Sequence, residues 1–189
     1  MIVTTTERLV LRNWRDEDRD LFHEINSDPD VMEFFPFQRT RDQSDEFFER
    51  LRGIIAETGF GFYALADRET DEAMGFCGLS RTTERLEPFV PTGSVEIGWR
   101  LAPRHWGHGY ITEAAKRLLD FGFAEKQLDE IIAFAVAGNT RSTAVMRRIG
   151  MVAAPERDFM MPGIENARAE IRPHVIYAID RAAWQTKGR

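Results

Sequence analysis

"RHWGHGYITEAAKRLL" runs from Arg104 to Leu119. Two glycines, Gly107 and Gly109, flank His108, and a helical pattern follows at once, with Ala115, Leu118, Leu119 and Gly122 on one face of an expected helix from about Thr112 to Glu125. Glycine has no Cβ, so the backbone can approach a ligand closely there. The first N–H groups of a helix lack internal partners, and the macrodipole makes that end positive. A glycine turn that opens a helix is therefore a seat for an anion, phosphate above all. Arg104, just before the glycines, can add a charge-assisted hydrogen bond.

The type of phosphate ligand is narrowed by what the loop lacks. It does not read G-x-x-x-x-G-K-[ST], which argues against a nucleotide triphosphatase. A dinucleotide fold wants G-x-G-x-x-G after its first strand. "GHGYIT" puts Thr112 where the third glycine belongs, and the loop lies in mid-chain. Both facts disfavour a nicotinamide-dependent oxidoreductase.

Outward from the loop, "SVEIGWRL" (Ser94–Leu101) precedes it as a strand stopped by Pro103, and "IIAFAVA" (Ile131–Ala137) follows as an apolar strand of the kind covered on both faces. The strand–helix–strand unit over 94–137 would be a right-handed parallel crossover. "LVLRNW" (Leu9–Trp14) alternates like a strand, and Asp16–Ser27 has helical spacing before Pro29. Thr40 and Gln43 form a capping box for a helix with Phe47, Phe48, Leu51, Ile54 and Ile55 on one face, ending near Gly59. "FGFYALAD" (Phe60–Asp67) and "MGFCGLS" (Met74–Ser80) make a hairpin across "RETDEA". Thr140–Ile149 is a short helix closed by Gly150, and "RPHVIYAID" (Arg172–Asp180) is a late strand. Met151–Ala169 should hold one more strand and a loop around Pro162–Gly163. The order β-α-α-β-β-β-α-β-α-β-β predicts an α+β fold, with helices flanking a central mixed, mostly antiparallel sheet.

The 189 residues, 43% hydrophobic and 30% charged, fit one domain over 1–189. No stretch approaches the roughly 20 apolar residues that span a bilayer. The N-terminal "MIVTTTERLVLRNW" lacks the pattern of a signal peptide. The single Cys77 excludes an internal disulfide framework and fits a reducing compartment, so the expectation is cytoplasmic. The net charge of -6 argues against a broad nucleic-acid or anionic-membrane surface, while leaving room for a local basic pocket.

The pattern Arg104-x-x-Gly107-x-Gly109 resembles the pyrophosphate loop of the GNAT superfamily, the acyl-CoA-dependent N-acyltransferases. "EIGWRLAPRHWGHGYITEA" (Glu96–Ala114), "NTRSTAVMRRIGM" (Asn139–Met151) and "TERLVLR" (Thr6–Arg12) are similar to its RimJ/RimL-like branch, the ribosomal-protein N-terminal acetyltransferases and their relatives. The resemblance implies a GNAT-like fold, acetyl-CoA as cosubstrate, no metal, and an amine acceptor, either a peptide N-terminus or a small molecule. It also implies residue roles. Glu96 would be the general base that deprotonates the acceptor ammonium; paired with a neighbouring arginine it would instead be structural. Trp99, Arg100 and Leu101 continue a strand whose backbone pairs with the pantetheine arm. Gly107, His108, Gly109, Tyr110, Ile111 and Thr112 would offer N–H groups to the pyrophosphate.

By the same resemblance Asn139 hydrogen-bonds the pantetheine and Ser142 protonates the leaving thiolate, although both residue types also favour helix N-termini. The aromatic loop "MEFFPF" (Met32–Phe37) would line the acceptor groove through Phe34, Phe35 and Phe37, with Glu33 receiving a cation; the same rings could equally be local core. His105 and His108 are too few for a metal site without a third ligand. Cys77, in an apolar strand, reads as buried filler, and His174 as an ordinary strand histidine. Exposed strand edges and the Met160–Met161 region would suit a homodimer. The competing class is a non-catalytic acyl-CoA sensor of the same fold, which needs neither Glu96 nor Ser142.

Overall fold

The computed structural model describes residues 1–187. These fall into two compact units, Met1–Leu79 with Gly98–Leu118, and Ser80–Ile97 with the chain from Leu119 onward.

The first unit opens with two short strands, β1 (Ile2–Thr5) and β2 (Leu9–Arg12), paired antiparallel. The sequence pattern showed only the second, because β1 is four residues, two of them threonine, with Ile2 exposed, too short to show an alternating apolar face. A 3-10 turn at Asp16–Asp18 leads into α1 (Arg19–Ser27). Helix α2 (Arg41–Thr58) starts with the expected capping box: the Gln43 N–H donates to Thr40 Oγ1, and the Thr40 N–H donates to Gln43 Oε1. It ends at Gly59, whose φ of +72° is the left-handed conformation glycine accepts without strain. The hairpin of β3 (Gly61–Asp67) and β4 (Ala73–Arg81) follows, with β3 also paired antiparallel to β2. Trp14, Phe22, Phe47 and Phe48 interlock at 4.8–5.7 Å between ring centroids, and this cluster joins the two helices to the sheet.

Strand β5 (Val95–Leu101) runs on into a 3-10 turn at Pro103–His105 and then the glycine loop. Gly98 in β5 sits where a Cβ would come within 2.8 Å of the Phe62 ring, and that ring stacks on Phe76 at 5.0 Å. Helix α3 (Tyr110–Asp120) begins two residues earlier than the pattern predicted. Its first bond runs from the Glu113 N–H to the Gly109 carbonyl, 3.0 Å, so Tyr110 is already helical.

In the second unit the helical pattern continues past α3 as a wider π turn, Phe121–Glu125, in which Lys126 N–H reaches the Phe121 carbonyl at 3.0 Å. Strand β6 (Glu130–Val136) pairs parallel with β5 at Glu96–Ile132 and antiparallel with a late strand over Glu130–Val136. Helix α4 (Thr140–Arg148) closes at Gly150, φ +92°. The stretch expected to hold one more strand holds two very short ones, β7 (Val152–Ala153) and β8 (Phe159–Met160). Both pair antiparallel with β9 (Pro173–Asp180), and irregular turns surround Gly163. A last helix, α5 (Arg181–Lys187), was not legible, since seven residues give barely two turns of periodicity. Leu86, Val90, Ile132, Phe159 and Ile176 form the core of this unit. One parallel pair among antiparallel ladders, with helices alongside, is the mixed, mostly antiparallel α+β arrangement the sequence predicted.

Candidate functional site

The glycine loop has the backbone of an anion cradle. Gly107 and Gly109 take φ of +82° and +78°, and Gly107, His108 and Gly109 are exposed. A Cβ at Gly107 would meet nothing within 4 Å, and at Gly109 only Arg8 Nη2 at 3.9 Å. Handedness rather than crowding therefore demands glycine here, and the space in front of the loop is open. With α3 starting at Tyr110, the N–H groups of Tyr110, Ile111 and Thr112 fall in the first turn, where no intrahelical acceptor exists. Successive free N–H groups at a helix N-terminus form a positive concavity.

The cation beside this loop is Arg8, which sequence reasoning missed. Its Nη1 donates to the His108 carbonyl at 3.2 Å, and its guanidinium lies 4.8 Å from the Tyr110 ring centre. Its Nε and Nη2 grip Glu113 at 2.7 and 2.6 Å, while Thr6 Oγ1 donates to the other Glu113 oxygen at 2.5 Å. Burial alone would raise the Glu113 carboxyl; the hydrogen bonds from Thr6 and Arg8 outweigh it and hold the group below its usual range. Thr6, Arg8 and Glu113 all stand inside the stretches that carry the family resemblance, but a pairing over about a hundred residues leaves no local signal. Arg104, expected at the phosphate, is ion-paired with Glu24. His105 Nε2 is buried without a partner, and burial, with Arg104 beside it, lowers the imidazole. His108 stacks on Tyr110 at 5.6 Å.

The aromatic loop also belongs to the first unit. Met32 is core, Phe34 is half-buried, and Glu33, Phe35 and Phe37 are exposed, the two rings by 40% and 46%. The Phe35 ring lies 4.4 Å from the Arg100 guanidinium and the Phe37 ring 4.9 Å from that of Arg39. Arg100 Nη1 donates to Asn26 Oδ1 at 2.6 Å. Burial, with Arg39 nearby, pulls the Arg100 guanidinium below its usual range. Trp99 is half-buried and Leu101 buried, and the Leu101 carbonyl accepts from the Trp106 indole at 2.9 Å.

The second unit holds the other expected residues. Glu96 sits in β5 opposite Ile132. Among the described residues no hydrogen bond or ion pair engages its carboxylate, and burial alone pushes the acid up to about 7. The structural alternative, a salt-bridged strand carboxylate, is not what is found. Asn139 is the N-cap of α4, its Oδ1 accepting the Ser142 N–H at 3.0 Å, while among the described residues the amide N–H₂ has no hydrogen-bond partner. Ser142 is thereby held in the first turn with its hydroxyl half-buried.

Cys77 is fully buried and its thiol is pushed far up by burial, which makes it inert filler. His174 is buried, stacks on Phe159 at 5.5 Å and contacts the Arg172 carbonyl through Nδ1, again a packing role. No group of three or more His, Cys, Asp or Glu placed to hold a metal exists among the described residues. Among the described residues no helix is long and apolar enough to cross a membrane.

Comparison with known proteins gives the family of the chain. The chain is 34% identical over 147 residues to the protein YkkB of Bacillus subtilis, covering 77% of this chain and 83% of the relative. It is 31% identical over 188 residues to an FsC-acetyl coenzyme A-N(2)-transacetylase of Aspergillus fumigatus, covering 95% of this chain and 76% of that one. A crystal structure of a GNAT-family acetyltransferase from Bacillus anthracis superposes with a TM-score of 0.78 at 26% identity, over 96% of this chain and 99% of that one. Residues 8–152 match the family described as acetyltransferase (GNAT) domain, and the chain belongs to that family.

Proposed function

We propose that the protein is a single-domain N-acetyltransferase of the RimJ/RimL-like branch that moves the acetyl group of acetyl-CoA to a primary amine. The observation that carries this is the exposed glycine cradle at the start of α3, in a chain of the GNAT family. The residues present fit the cosubstrate: free N–H groups and the helix dipole suit a pyrophosphate, with Arg8 adding positive charge at the rim. The N–H groups of Gly107 to Thr112 would hold the pyrophosphate. Backbone groups of Trp99, Arg100 and Leu101, in the strand that leads to the glycine loop, would pair with the pantetheine amides. Asn139 would meet the same arm through its amide N–H₂.

Acetyl-CoA supplies an activated carbonyl. The amine must lose a proton before its lone pair attacks. Glu96, titrating near 7 with no charged partner, can accept that proton at physiological pH. As the new C–N bond forms and the C–S bond breaks, the Ser142 hydroxyl passes a proton to the thiolate and regains one from the attacking nitrogen, directly or through water. The products are an N-acetylated amine and free CoA thiol. Two named relatives support amine chemistry: the coenzyme A transacetylase of Aspergillus fumigatus and a spermidine N-acetyltransferase from Vibrio cholerae crystallised with CoA and spermine, which shares the fold.

Thiol release from acetyl-CoA, measured against a panel of small amines and short peptides, tests this reading, with calorimetry on the same sample. Binding with turnover is the expected result. Tight binding with no turnover on any amine would favour the sensor, and no binding would overturn the reading of the loop.

A further inference from the structure

Most arginines of the first unit answer a carboxylate: Arg8 meets Glu113, Arg12 meets Asp18, Arg19 meets Glu49. Arg39 and Arg100 do not. Among the described residues neither forms an ion pair, and Arg39 Nε is buried with no hydrogen-bond partner at all. Instead both guanidinium groups lie over rings, Arg100 over Phe35 at 4.4 Å and Phe76 at 5.3 Å, and Arg39 over Phe37 at 4.9 Å and Phe47 at 4.6 Å. Asn26, fully buried, fixes both: its carbonyl accepts the Arg39 backbone N–H at 2.9 Å, and its side-chain oxygen accepts from Arg100. In a protein of net charge -6, two neighbouring cations without an anion are conspicuous, and they sit at the loop expected to line the acceptor groove.

We infer that Arg39 and Arg100 form a subsite for a carboxylate carried by the amine acceptor, so that the substrate is an amino acid or another amine that also bears an acid. This rests on the transferase reading above and names its substrate class. Rings lie against both guanidinium groups, and the N–H groups not used by Asn26 are the donors left to bind an anion. A flat carboxylate matches a guanidinium edge with two parallel hydrogen bonds. Phe35 and Phe37, exposed on the same loop, give the acceptor's apolar part a wall. Arg100 lies four residues beyond Glu96 along β5.

The test compares N-acetyl derivatives of phenylalanine, leucine and glutamate, each as free acid and as amide, by calorimetry on the full protein. These are product-like probes, so binding is read without turnover. At least one acid should bind roughly 10- to 100-fold tighter than its amide, the range set by hydrogen bonds to a charged group. Arg39→Gln should abolish that preference while acetyl-CoA affinity and melting temperature stay at parent values, and Arg39→Lys should restore it in part. Acids binding no better than amides overturn the subsite, as does an unchanged preference in a folded Arg39→Gln. A fall in acetyl-CoA affinity in Arg39→Gln also overturns it, by assigning the arginine to the donor. Thiol release with phenylalanine and phenethylamine separates the two levels. Equal turnover of both defeats the carboxylate subsite alone. No turnover of either, with acid preference intact, counts against acetyl transfer and leaves the anion site standing.

Discussion

A carboxylate that titrates near neutrality with no charged neighbour owes its shift to lost water alone, and Glu96 is in that position. Two measurable consequences follow for this one side chain. As a base it works only when ionised, so kcat/KM should rise with pH through about 7. Glu96→Gln should remove that limb and lower kcat by about 10²–10⁴-fold, the usual worth of a general base, with acetyl-CoA affinity unchanged. A parent-like rate across the pH range would dismiss Glu96 as the base. The second consequence concerns stability. Below the ordinary carboxylate value the group is protonated in both folded and unfolded chains, and its burial costs nothing in charge. Between that value and about 7 the unfolded chain ionises first, so the folded state loses stability as pH rises. Glu96→Gln should therefore melt higher than the parent at pH 8, by roughly 2–3 kcal/mol, and alike near pH 4. A parent-like melting temperature at pH 8 would mean that the carboxylate is hydrated after all.

At the scale of elements, the two helix starts bear the expected cofactor contacts in different ways. The α3 start depends on left-handed glycines, so Gly109→Trp, which both strains φ and fills the open space, should abolish acetyl-CoA binding in calorimetry. Normal affinity would sink the cradle assignment. The α4 start depends on Asn139, whose two ends have separable duties. Asn139→Ala removes the cap and should cost about 1 kcal/mol of stability. Asn139→Asp keeps a capping oxygen but loses the amide N–H₂ donor. It should melt like the parent and bind acetyl-CoA more weakly; unchanged affinity would make Asn139 a cap and nothing more.

For the molecule as a whole, stability leans on one buried charge network in the first unit. Arg12, 1% exposed, grips Asp18 at 2.7 and 3.0 Å and Asp71 at 2.9 Å. Arg12→Met leaves Asp18 buried and unpaired, and should lower the unfolding free energy by about 3–5 kcal/mol in denaturant titration. That network also marks the limit of what the sequence could say. Strands, helices and caps were legible where apolar spacing or a turn residue announced them, as with Thr40, Gln43 and Gly150. The loop glycines were legible for the same reason, since one residue type has one physical use there. Edge strand β1, the two-residue strands β7 and β8, and helix α5 had too few residues to show a period. Pairings such as Arg12 with Asp71 or Arg8 with Glu113 depend on the folded path of the chain. So does the pairing of Arg104, expected at the phosphate from its position, with Glu24.

The bonds from Thr6 and Arg8 to Glu113 span 107 and 105 residues, and this has a bearing on how the protein is made. A ribosome adding about 5–20 residues per second exposes Arg8 roughly 5–20 s before Glu113 is even synthesised. Through that interval the N-terminal hairpin waits without the partner that will brace it, and the glycine loop does not yet exist. The glycine loop with its Arg8 brace is thus a late product of translation, completed only when the chain's earliest residues are still free to be captured by its middle.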